Sequence, residues 1–191
     1  KSKGNQNKAR AGKSPQLLKA SGDAETPEKE ITGLNGLYMG HSFFTPTARL
    51  LPTIIPDTTI VNHVTYSVMS GGQSGSPGML WENEAKRVLG LAYLDKGNVD
   101  LMAMTYYSPA DSSLEHYAKW FDYAVEKNPT ITFMIAIPWG KNLYQADTKM
   151  LDEKEKAAAI LYEGLIVKLR EKYPKNKVLF CPYGLGVHEL A

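Results

Sequence analysis

From Ile31 onward the chain switches repeatedly between two patterns. Short apolar runs of strand length alternate with longer stretches whose apolar positions recur every three or four residues. The first run, residues 35–39, carries Leu37, Tyr38 and Met39 and predicts a buried strand. Gly40-His41-Ser42 follows as a tight turn, then a short helix over 46–51 with Thr45 as N-cap and Pro46 in its first turn. Pro52 and Pro56 break what comes next, and residues 59–65, rich in β-branched side chains, predict strand two. Residues 70–78 hold so many glycines that they read as an irregular loop. Leu80, Ala85, Val88, Leu89, Ala92 and Tyr93 place one apolar face on a single helix over 79–94.

Strand three is expected over 99–106, with Met102 and Met104 as core residues. Asp111-Ser112-Ser113 starts the next helix, which carries Leu114, Tyr117, Ala118, Phe121 and Val125 and ends before Pro129. Strand four covers 130–137 and stops at Pro138; a long helix spans 148–173 and stops at Pro174; strand five covers 177–181. Strands joined by helices of this length need parallel crossovers, so the expected fold is α/β: a doubly wound, parallel, five-stranded sheet with helices on both faces.

Composition changes the picture only at the start of the chain. Residues 1–30 are polar and poor in apolar side chains, and residues 1–19 hold six Lys or Arg and no acid, which predicts a basic disordered tail followed by one domain over 31–191. With the tail set aside, the remainder is close to neutral, so no nucleic-acid partner is expected. Gly12-Lys13-Ser14 fails as a phosphate-binding loop, because the required partner glycine is replaced by Asn7. Cys181, the single cysteine, sits in an apolar run and reads as a small buried hydrophobe. There is no apolar run long enough for a transmembrane helix. The first residue is Lys, and a removed signal peptide fits such a start, so a secreted or periplasmic setting is slightly favoured over a cytoplasmic one.

In a parallel sheet the loops after the strands open on one edge, and that is where sites are built. Four of these loops hold chemistry: Gly40-His41-Ser42, the glycine-rich 70–78, Tyr106 to Asp111, and Pro138-Trp139-Gly140-Lys141-Asn142. Ser42, at a strand's end and just before a helix, is either a turn-capping serine or a nucleophile beside exposed backbone N–H groups. His41 neighbours Ser42 on an extended segment, so the two point apart and His41 reads as a structural histidine beneath the turn. His63 reads as structural and His116 as solvated. The four scattered histidines lack metal-ligand spacing, and no dinucleotide fingerprint follows strand one, so no cofactor or metal is expected.

Gly40-His41-Ser42-Phe43-Phe44 resembles the nucleophile block of the SGNH (GDSL-like) hydrolases, and Gly71-Gly72 after strand two is similar to that family's second block. The resemblance covers roughly residues 34–183 and implies the flavodoxin-like, SGNH-hydrolase type of sheet. It also implies a serine esterase acting on a small acyl ester such as an acetylated carbohydrate, with Ser42 as nucleophile and Gly72 as a backbone oxyanion donor. Two departures stand out. Residues 104–109 contain no Asn where the family's third block has one, which leaves Tyr107 or Ser108 as substitute donors. No Asp lies three residues before His188, the only late histidine. His188 is thus the one in-chain candidate base, and the expectation is an incomplete chain whose His and Asp lie in a missing C-terminal segment or a second polypeptide. Trp139 either lines a substrate pocket or packs on its own loop. Alternatives are a non-catalytic carbohydrate- or ligand-binding module on the same fold, and a flavodoxin-like mononucleotide binder.

Overall fold

The computed structural model describes residues 31–54, 60–138 and 163–183. The elements run β1 (Ile31–Thr32), β2 (Asn35–Gly40), α1 (Thr45–Ile54), β3 (Ile60–Val61) and β4 (Val64–Met69). A 3₁₀ turn (Gly72–Gly75), α2 (Pro77–Glu82), α3 (Glu84–Leu94), β5 (Leu101–Thr105), α4 (Leu114–Lys127) and β6 (Thr132–Ala136) follow. Helical residues 163–172, here α5, lead into β7 (Val178–Cys181). Five strands form one sheet in the order β4-β2-β5-β6-β7, every pair parallel. This is the doubly wound α/β architecture that the alternating pattern predicts.

The strands' period of two sets the layers. Leu37, Met39, Val68, Met102, Met104, Phe133 and Ile135 point to one face, where residues of α2 to α5, among them Leu80, Trp120, Phe121 and Leu169, cover them. Tyr38, Leu101, Ala103 and Ala136 point to the other and meet Phe44 and Ala48. All five residues of β5 are buried, as expected of a central strand covered on both sides. The Phe121 and Phe133 rings stack with centroids 3.7 Å apart, joining α4 to β6.

Several boundaries differ from expectation. Strand two does not run through 59–65. Asn62 takes a φ of 60°, a left-handed conformation that Asn tolerates better than branched residues, and it divides the segment. Ile60–Val61 instead pairs with β1 in a separate two-stranded ribbon, and the main-sheet strand begins at Val64. The helix expected over 79–94 is two helices. Asn83 is extended, and its side chain caps α3 by accepting from the Lys86 N–H at 3.1 Å. The glycine-rich loop is more regular than its composition suggests: Ser76 caps α2, with Pro77 in the first helical position. Pro52 lies inside α1 rather than beyond it. Thr45 is the first residue of α1, not its cap; its hydroxyl is buried with no hydrogen-bond partner among the described residues. Cys181, on the edge strand, is half-buried rather than buried. Most of the helix expected over 148–173 lies outside the described residues, as do Trp139 and His188.

Candidate functional site

The chain enters the main sheet at β2, steps to β4 on one side, and returns past β2 to β5 on the other. The carboxyl ends of β2 and β5 therefore form a topological switch point, where successive connections diverge to opposite faces and leave a crevice. Ser42 stands there, exposed, in the turn between β2 and α1.

Three loops converge beneath and beside it. His41 supports the turn from below and is only 2 % exposed. Its N–H donates to Thr105 Oγ1 at 3.3 Å, at the end of β5. Its carbonyl accepts the Phe44 and Thr45 N–H groups at 3.1 and 3.2 Å, and Nδ1 accepts the Phe43 N–H at 3.3 Å. His41 thus does the capping work that the sequence pattern suggests for Thr45. The backbone N–H groups of Phe43, Phe44 and Thr45 are all engaged, whereas no described residue engages that of Ser42.

The ring of His41 also hydrogen-bonds the Tyr106 backbone. With Nδ1 accepting from Phe43, the neutral ring carries its proton on Nε2. Burial lowers the pKa of His41, and the Tyr106 bond offsets this only in part. The ring is therefore a neutral brace and not a base for Ser42. A pH dependence follows. Because the folded protein disfavours the imidazolium, the unfolded chain takes up a proton at His41 first as the pH falls below about 6.5. The contribution of His41 to stability is complete above that pH and declines below it, until the folded ring also protonates. Denaturant unfolding between pH 7.5 and 5 should show a shallower loss of stability in His41→Gln than in the unsubstituted protein.

The β4–α2 loop presses against the same turn. Ser70 N–H donates to the Gly40 carbonyl at 3.1 Å. A Cβ on Gly75 would stand 2.6 Å from the His41 Cα and N atoms. Backbone rather than a flexible side chain blocks it, so Gly75→Ala should lose about 1–3 kcal/mol in urea unfolding and shift the Ser42 turn. Gly71→Ala is the control: a Cβ there meets nothing within 4 Å, and the change should stay within about 0.5 kcal/mol. Gly72 has a φ of +49°, a conformation that favours glycine, with open space around it, and no described residue engages its N–H.

The β5–α4 loop supplies the third wall. The Tyr107 ring lies 6.3 Å from that of His41, and Phe43, 56 % exposed, lies 5.8 Å from it on an edge. Ser108 points into a network: its Oγ donates to Asp111 Oδ2 at 3.1 Å, and Gln73 Nε2 donates to the same oxygen at 2.8 Å. The helix expected after Asp111-Ser112-Ser113 does start there, with Ser113 as the N-cap of α4, and Asp111 also links two loops. The pairing of Asp111 with Gln73 carries no signal in the sequence, because it spans 38 residues.

The structure thus gathers Ser42, Gly72, Tyr107 and Ser108 into the loop cluster at one sheet edge. The histidines are distributed otherwise. His63 lies at the opposite edge, where Nδ1 accepts the Leu34 N–H at 3.1 Å. His116 is partly buried rather than solvated; its Nδ1 meets Ser113 and its ring lies against Gly78. Among the described residues, no hydrogen bond joins Ser42 to a histidine, and no group of three or more His, Cys, Asp and Glu could hold a metal ion. No described helix is long and apolar enough to cross a membrane. No protein-family model matches the chain, and no curated protein matches it either.

Proposed function

We propose that the chain is a serine esterase of SGNH type that cleaves a small acyl ester, with acetylated carbohydrates as the substrate class. One observation carries this. An exposed serine stands at the topological switch point of a parallel sheet, and its own backbone N–H and that of Gly72, in the loop that packs against the same turn, are engaged by no described residue. Ser42 Oγ attacks the acyl carbon and passes its proton to a histidine, for which His188 is the candidate in this chain. The N–H groups of Ser42 and Gly72 stabilise the oxyanion, one such donor contributing about 3 kcal/mol in the transition state. The alkoxide leaves with the proton from the histidine, and water then hydrolyses the acyl-enzyme by the same steps. Phe43, next to the serine, and Tyr107, whose ring lies against that of His41, supply aromatic surface for the acyl group or a sugar ring, a role that Trp139 would share. Ser108 contributes through Asp111 rather than by direct donation.

A second reading, a ligand-binding module without turnover, is favoured by the absence of a hydrogen bond from Ser42 to any described histidine. Hydrolysis of p-nitrophenyl acetate by the full encoded protein, beside Ser42→Ala, separates the two. Turnover that depends on Ser42 supports the esterase; ligand binding without turnover supports the module.

A further inference from the structure

Ala85, Val88, Leu89 and Ala92, which helical spacing groups with Leu80 and Tyr93 on one apolar face, stand exposed on α3. Val88 is 58 % exposed and Leu89 40 %. At about 100° per residue the four form a single stripe along the helix, and Gly90 and Leu94, its buried residues, lie on the opposite side. A surface helix ordinarily turns polar side chains to water there. The helix is firmly seated on its inner side. Gly90 lies against Trp120 of α4 and Met39 of β2, and Arg87 Nη1 donates to the Trp81 carbonyl at 2.6 Å. On one flank Tyr93 stacks on Tyr66 of β4 with centroids 4.8 Å apart; on the other, Asp95 accepts from the Tyr123 hydroxyl of α4 at 2.6 Å. α3 therefore cannot roll its stripe inward without giving up contacts to both neighbours.

The charged residues of α3 leave the stripe clear, and its two borders differ in sign. Glu84 and Lys86 are two positions apart and so project from opposite sides of the helix, Glu84 on the border shared with Asp95 and Lys86 on the border shared with Tyr93. Neither forms an ion pair with a described residue. Two copies of α3 laid side by side in the same direction about a twofold axis bring stripe against stripe. The rotation sets each acidic border against the basic border of the other copy, so that Glu84 of each meets Lys86 of the other. An antiparallel pair would instead set like borders together, with Glu84 of one copy on the same border as Asp95 of the other.

We propose that α3 is a self-association surface on which two copies of this chain pair in parallel about a twofold axis, through Ala85, Val88, Leu89 and Ala92, with reciprocal Glu84–Lys86 ion pairs along the borders. The same patch serves on both copies, as a twofold interface requires. Burial of the stripe is favourable but non-directional; the borders set the direction, because like charges oppose the antiparallel arrangement. It is this complementarity of the two borders that selects a second copy as the occupant, since a foreign surface would not call for it. Self-association is independent of the esterase reading, as α3 holds none of the residues placed in that site.

Sedimentation equilibrium of the full encoded protein tests this, and the unsubstituted chain should form a concentration-dependent dimer. Val88→Arg puts a charge in the middle of the stripe without touching the inner packing. It should raise the dissociation constant by at least about 10²-fold and leave the far-UV circular dichroism unchanged. Glu84→Lys and Lys86→Glu should each weaken the dimer by about tenfold, because both reciprocal pairs become repulsive. An equal mixture of these two variants should dimerise as tightly as the unsubstituted chain, because every border again meets its opposite. Tighter association in Glu84→Lys, or a mixture that associates no better than its components, overturns the parallel pairing. A dimer that Val88→Arg leaves intact overturns the surface itself. A chain that stays monomeric up to about 100 µM overturns self-association and leaves the stripe to a partner of another kind.

Discussion

Ser42→Ala should leave a folded protein whose ester hydrolysis has fallen by at least about 10³-fold, since removal of an attacking serine leaves only the rate supplied by binding and oxyanion contacts. The side chain is exposed and makes no hydrogen bond to a described residue, so its loss opens no cavity and breaks no packing. Stability should therefore change by no more than about 0.5 kcal/mol, which makes lost turnover attributable to chemistry. The measurement is the hydrolysis rate of p-nitrophenyl acetate together with a denaturant midpoint for both proteins. Unchanged turnover in the variant would refute the role given to Ser42. Absence of turnover from both, in folded samples of confirmed intact mass, would move the balance to a binding module that uses the same crevice.

Trp120→Ala should be the most damaging single change to the fold, costing about 3–5 kcal/mol. Trp120 is fully buried on α4, packs edge-on against Trp81 with centroids 4.9 Å apart, and fills the space left by Gly90 on α3. Its Nε1–H donates to the Pro77 carbonyl at 2.9 Å, so truncation also leaves an acceptor in α2 without its partner. Trp120→Phe should cost less, because it keeps most of the aromatic volume and loses mainly the hydrogen bond. Urea unfolding of the three proteins checks the order, and a loss below about 1 kcal/mol in Trp120→Ala would contradict the packing described. The effect should extend to the site, since Pro77 follows directly on the turn and cap that brace His41. Reduced activity in Trp120→Ala should accordingly be accompanied by reduced stability, unlike in Ser42→Ala.

Much of the architecture was legible in the chain because burial is written locally. Each residue's environment follows from its place in a repeat of two or of about 3.6, which is why Met102 and Met104 could be assigned to the core before any strand was paired. The turn at Gly40-His41-Ser42 was legible for the same reason: a strand's last apolar residue, a glycine and a helix start lie within a few positions of one another. Where expectation failed, one residue overrode the pattern. Asn62 took a left-handed conformation inside a β-branched run, and Asn83 took an extended one inside a helical run. Both are residues whose short polar side chains offer the backbone an alternative to regular structure, and the surrounding periodicity carries no record of that choice.

By itself, then, the sequence determined the fold class, the succession of strands and helices, the faces of the sheet, and the serine turn that ends its first main strand. The tertiary structure alone decided the strand order that puts this turn at the switch point, the brace of His41 between Phe43 and Tyr106, the close approach of Gly75 to that brace, and the meeting of Gln73, Ser108 and Asp111. The physical reason is one of range. Periodicity reports which side of an element is apolar, whereas hydrogen bonds across a crevice depend on which loops become neighbours, and that is settled only when separate strands have paired and packed.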